Sequence, residues 1–161
     1  MKRTITILII ILVLLLPAAS FGADKQLATE FSKLSGVEES FKTLSMKIDE
    51  IAGADTKPDR VYAMQDLSCL CKTSKMQVHS LISLYSVVNL VKDESKFQSR
   101  EADLLKRKCR YAYNDFSRRT AFVSDILTKA KDQNLRDLAF IFEAQLKIVL
   151  EQMKAINSRL K

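Results

Sequence analysis

From Leu27 to Leu160 the apolar residues recur at intervals of three and four, with breaks at only three places. That spacing lays a continuous apolar stripe along one face of an α-helix and is incompatible with the two-residue alternation of a half-buried strand. The first run carries Leu27, Phe31, Leu34, Val37, Phe41, Leu44, Ile48 and Ile51, close to a heptad seam of the coiled-coil kind from Leu34 onward. The second carries Met64, Leu67, Leu70, Cys71, Ser74, Val78, Leu81, Ile82, Tyr85 and Val88. The third carries Leu105, Cys109, Ala112, Phe116, Val123, Ile126 and Ala130. The fourth carries Leu135, Leu138, Phe142, Leu146, Val149, Met153, Ile156 and Leu160, with Ile141, Ile148 and Ala155 as a weaker stripe beside it.

The breaks carry helix punctuation. Gly53 is placed to cap the first run, 54–57 is the connection, and Pro58 falls in the first turn of the second helix, where its missing N–H is harmless. The second helix should end between Val88 and Lys92, and the third should run from about Lys96 to Lys131, with Asp93 or Ser95 as its cap. Residues 132–134 form the next turn, with Asn134 as N-cap of the fourth helix. Inside the first run, Ser35, Gly36 and Glu38 have the form of a capping box; one kinked helix is preferred to two. Only 3 Gly and 2 Pro in 161 residues leave little material for turns. Four helices of roughly 27–36 residues joined by short connections predict an all-α, antiparallel up-down four-helix bundle. A single domain over 24–161 accommodates it.

Ahead of the bundle, Lys2 and Arg3 precede an almost unbroken aliphatic stretch from Ile5 to Leu16, followed by Pro17 and small residues. This is the layout of a secretory signal peptide over 1–22, cleaved after Gly22 or alternatively after Ser20. An uncleaved anchor over 4–23 is the competing reading, favoured less because the apolar core is short and ends at proline. Export, periplasmic or secreted, follows. The absence of any Asn-x-Ser/Thr sequon agrees with a bacterial source.

Export decides how the charge is read. The formal net charge is +7, and removing Lys2 and Arg3 leaves +5. Outside the cytosol such a charge meets anionic lipid or cell-wall polymer rather than nucleic acid. The surplus lies on the third helix: between Lys96 and Gln133 there are ten Lys/Arg against five Asp/Glu. There Arg100, Arg107, Tyr111 and Arg118 share one outward stripe, suited to gripping phosphate or carboxylate beside an aromatic ring. The competing expectation is a solvated face whose arginines pair with Asp103 and Asp115.

Catalytic chemistry is sparse. His79 is the only histidine, and its helical neighbours Lys75 and Met76 offer no orienting carboxylate. No di-iron Glu-x-x-His set, haem-attachment motif or glycine-rich phosphate loop is present, so no enzyme, cofactor or resident metal is expected. Cys69, Cys71, Met76 and His79 suggest copper(I), but residues two apart on a helix project about 200° apart, so Cys69 and Cys71 cannot share an ion there. A structural disulfide between Cys71 and Cys109 is the better expectation in an oxidising compartment, with Cys69–Cys109 as alternative. A turn centred near residue 92 would leave Cys71 and Cys109 about four residues out of level, ~6 Å along the axis. The leftover cysteine would be inert or pair between molecules.

Three functions follow, in order: an exported binding bundle acting on a protein partner, a second copy or an envelope component; a redox or copper-handling protein using Cys69, Cys71 and Cys109; and a binder of anionic lipid or cell-wall polymer. Exposure of Ile141 and Ile148 would favour a helical partner or homodimer.

Overall fold

The computed structural model describes residues 2–91 and 98–160, with side chains described over 25–90 and 100–160. Four α-helices and no strands are present among them: α1 (Lys2–Ala54), α2 (Pro58–Val91), α3 (Gln98–Lys129) and α4 (Gln133–Arg159). The chain is an all-α four-helix bundle. The signal peptide and its cleavage points involve side chains outside the described residues, as does any cap of α3 at Asp93 or Ser95. Among the described residues no helix is long and apolar enough to cross a membrane.

The apolar stripes meet in one core. Phe31, Leu34, Phe41 and Ile48 from α1, Met64, Leu67, Cys71 and Val78 from α2, Leu105, Cys109, Phe116 and Val123 from α3, and Phe142, Leu146, Met153 and Ile156 from α4 are fully enclosed. Burial of each large apolar side chain contributes about 1.5–3 kcal/mol, so the interior holds the helices together. Leu70, Ile82, Tyr85, Val88, Ile126 and Leu160 are half-buried at the margin. Phe41 meets Phe142 edge-to-face at 5.6 Å between ring centroids, and Phe31 stacks on Tyr85 at 4.1 Å.

Polar contacts set the register of α1 and α2. Asp49 accepts from Ser68 Oγ at 2.6 Å and pairs with Lys72 at 2.7 Å, while Glu38 meets His79 Nδ1 at 3.1 Å. With Phe31 against Tyr85, the partner positions descend α1 as they climb α2. Asp49 is held below the ordinary carboxyl range, first by its hydrogen bond from Lys72 and then by that from Ser68.

Helix ends differ from the expectation in two places. Gly53 does not cap α1: the helix continues through Ala54, and no described glycine has a positive φ. The chain instead leaves through Asp55, whose N–H donates to the Ala52 carbonyl and whose Oδ1 accepts from the Lys57 N–H at 2.9 Å. Pro58 opens α2 as expected. The N-cap of α4 is Asp132, not Asn134; its carboxylate accepts from the Leu135 N–H at 2.9 Å. Asp132 also pairs with Arg60, which pairs with Asp55 as well, so the 55–57 and 130–132 connections meet at one end of the bundle. That second charge gives Asp132 an advantage over the neutral Asn134, since a carboxylate also suits the positive end of the helix dipole. At Gly36 the helix is unbroken; Glu38 of the supposed capping box serves His79 instead.

Candidate functional site

Helix α3 presents its cations to solvent. Arg100, Arg107, Tyr111 and Arg118 are all exposed, Tyr111 at 69%, as the stripe predicts. Lys106, Lys108 and Arg110 add to them, putting four cations in the five residues 106–110. Among the described residues, none of Arg100, Lys106, Arg107, Lys108, Arg110 or Arg118 forms an ion pair; Arg107 Nε donates only to the Asp103 carbonyl, at 3.4 Å. Asp103 lies in a shallow cleft of about 350 Å³ with Lys106, Arg107 and Arg110 and neutralises none of them by contact. The stripe is solvent-exposed, but its arginines form no ion pair with Asp103 or Asp115 among the described residues. Among the described residues these guanidinium and ammonium groups keep donors free, with only Arg107 Nε engaged, by the Asp103 carbonyl.

Arg119, next to the stripe in sequence, points the other way. Its Nη1 donates to Ser74 Oγ at 2.7 Å and Thr73 Oγ1 at 3.0 Å, and its Nη2 and Nε donate to Asp115 Oδ2 at 2.8 and 3.1 Å. The guanidinium lies 5.6 Å from the Phe116 ring centroid. Asp115 is thus taken by Arg119, which joins α3 to α2, and does not pair with the stripe.

Toward the other end, the α2–α3 seam opens into a cavity of about 470 Å³. Leu81, Leu84, Leu104 and Ala112 form its apolar wall, and Lys108 and Tyr111 stand beside them. Tyr111 thus links the basic stripe to an apolar hollow. Sequence periodicity signalled the stripe but not the hollow, which depends on how two helices face each other.

The cysteines separate. Cys69 is exposed, whereas Cys71 and Cys109 are fully buried, and all three are free thiols. The expected Cys71–Cys109 bridge is not formed, and the register of α2 and α3 explains why. The cavity between α2 and α3 is lined by 77–84 on one helix and 104–112 on the other, so Cys109 faces the part of α2 that follows Gln77. Cys71 lies at least six residues short of that part of α2, about 9 Å or more along the axis, whereas a disulfide requires Cα atoms within about 7 Å. Cys69, two residues before Cys71, is no nearer. Burial pushes each of the Cys71 and Cys109 thiols up to about 12, with Asp49 adding to the effect at Cys71. A thiol so held stays protonated and is a poor nucleophile and metal ligand.

His79 does have a carboxylate partner, Glu38, but it comes from α1, 41 residues away, beyond any local motif. Cys69 lies ten residues along α2 from His79, about 15 Å in rise, so no nucleophile–base pair forms between them. No group of three or more His, Cys, Asp or Glu capable of holding a metal occurs among the described residues. On α4, Ile141 and Ile148 are exposed, and so is Phe140, which the periodic reading omitted. Ile141 borders a groove of about 420 Å³ shared with Gly36, Ser40, Thr43, Leu44 and Gln145.

No protein-family model matches the chain, and neither the curated proteins nor the solved structures contain a match to it.

Proposed function

We propose that this protein is an exported, non-enzymatic helical-bundle module that binds an anionic envelope component, lipid surface or cell-wall polymer, through the outward face of α3. The observation that supports it is six cations of α3, Arg100, Lys106, Arg107, Lys108, Arg110 and Arg118, that form no ion pair among the described residues, with Arg100, Arg107 and Arg118 on one outward stripe. In this reading 1–22 is the leader that delivers the chain to such a surface, and the bundle is of the antiparallel up-down kind. Nucleic acid is not the partner, because export separates the two.

Co-sedimentation with phosphatidylglycerol vesicles tests it. Each Lys or Arg near an anionic surface contributes about 1 kcal/mol, so Arg100→Gln, Arg107→Gln and Arg118→Gln together should weaken binding roughly 100-fold. Binding should fall steeply between low and high salt. Equal binding to zwitterionic vesicles, or insensitivity to salt, would refute the reading.

The exposed Ile141 and Ile148 favour a second reading, a helical partner or a second copy against α4. Light scattering over a concentration series checks it: a strict monomer excludes the homodimer. A redox or copper(I) role through Cys69, Cys71 and Cys109 draws little support, since two of the thiols are buried, protonated and far apart.

A further inference from the structure

The cavity between α2 and α3 combines features that the surface reading does not use. Part of its apolar wall and the cation that lines it come from the same turns of α3: Leu104 and Ala112 line it, and Lys108 sits between them in sequence. Lys108 forms no ion pair, and neither Lys108 nor Tyr111 makes a side-chain hydrogen bond among the described residues. Gln77, which also lines the cavity, encloses its Oε1 without a hydrogen-bond partner.

The hollow has a structural cause. Arg119 clamps the seam at Ser74 and Thr73. Beyond that clamp, Ser80 on α2 and Ala112 on α3 both line the hollow. Two of its lining side chains are thus small, leaving space that larger ones would fill. The space is about 470 Å³ and extends along 104–112, roughly 12 Å of helix, which falls in the size range of small-molecule pockets.

We infer that this cavity receives the acyl chain of a single-chain anionic lipid, a lysophospholipid with a glycerol headgroup. The apolar wall takes the chain, Lys108 meets the phosphate at the mouth, and a glycerol hydroxyl supplies the donor that Gln77 Oε1 lacks. Lys106 and Arg107 stand next in sequence to Lys108, on the part of α3 already read as anion-binding. The inference rests on that reading and deepens it: the basic face gathers anionic lipid, and the cavity selects one-chain species from it.

Equilibrium dialysis of the full chain against palmitoyl lysophosphatidylglycerol, below its micellar concentration, tests the inference. One molecule should bind per chain, at least tenfold more tightly than lysophosphatidylcholine of the same chain length. Ser80→Phe adds bulk from an exposed position, so it should leave the helical circular dichroism intact. It should weaken lysolipid binding tenfold or more while vesicle binding is unchanged. Lys108→Gln should weaken lysolipid binding about three- to fivefold, the scale of one exposed ion pair. If Ser80→Phe binds like the wild type, if the stoichiometry is far above one, or if vesicles bind and the lysolipid does not, the cavity assignment is wrong and the surface reading stands. Lysolipid binding without vesicle binding would refute the surface reading and leave the cavity assignment in place.

Discussion

Replacing Arg119 with methionine should destabilise the bundle by about 2–4 kcal/mol. The guanidinium donates to Ser74 Oγ at 2.7 Å and to Thr73 Oγ1 at 3.0 Å from a side chain only 17% exposed. Hydrogen bonds to a charged group contribute about 1.5–3 kcal/mol, and Ser74, fully buried, would be left with an unsatisfied hydroxyl. The ion pair with Asp115 adds at most about 1 kcal/mol, because that carboxylate is 42% exposed. Methionine preserves most of the apolar stem against Phe116, so the loss is chiefly polar. Urea denaturation followed by circular dichroism measures the change; at ~2–4 °C per kcal/mol for a chain of this size, the Tm should fall by roughly 5–15 °C. A double-mutant cycle with Ser74→Ala should give a coupling energy of about 1–2 kcal/mol. Arg119→Lys should recover only part of the loss, since one ammonium cannot span Asp115 and Ser74 in the fork geometry. A Met variant within about 0.5 kcal/mol of wild type, or no coupling to Ser74, would refute the clamp.

Thiol titration of the native protein should label Cys69 alone and rapidly, with Cys71 and Cys109 reacting only on unfolding; fewer than three thiols in the unfolded, unreduced chain would show that a bridge forms after all. Asp49→Asn should cost up to about 1 kcal/mol at pH 7, discounted because the carboxylate is 44% exposed. Because the folded-state pKa of Asp49 is lowered, its contribution is present above the unfolded value near 3.8 and is lost as pH falls through the folded value. The stability gap between wild type and variant should therefore close below about pH 4. A gap that persists or widens in acid would contradict the assigned partners.

Helical phase is a local property, and the sequence carried it well. The residues enclosed at Phe31, Phe41, Met64, Cys71, Phe116, Phe142 and Met153 are those that the three-and-four spacing selects. The outward position of Cys69, His79, Arg100, Arg107, Tyr111 and Arg118 follows from the same arithmetic. Helix ends were less legible, since Asp132 and Asn134 are comparable caps until Arg60, 72 residues from Asp132, distinguishes them.

Register between helices is not local, and only the tertiary structure decided it. The cavity lined by 77–84 and 104–112 sets Cys109 beside the later turns of α2 rather than beside Cys71. An error in an assumed turn position shifts two helices in opposite directions and so doubles, which is why a small expected offset between Cys71 and Cys109 became about 9 Å or more. The same register gives Asp115 to Arg119 and leaves the stripe cations unpaired. It also brings 77–84 beside 104–112, where the cavity opens beside Lys108. The sequence alone determined which faces of these helices are apolar and which are charged. What those faces meet was decided by packing, because contacts between residues 40 and more apart depend on the summed burial of every stripe rather than on any one of them.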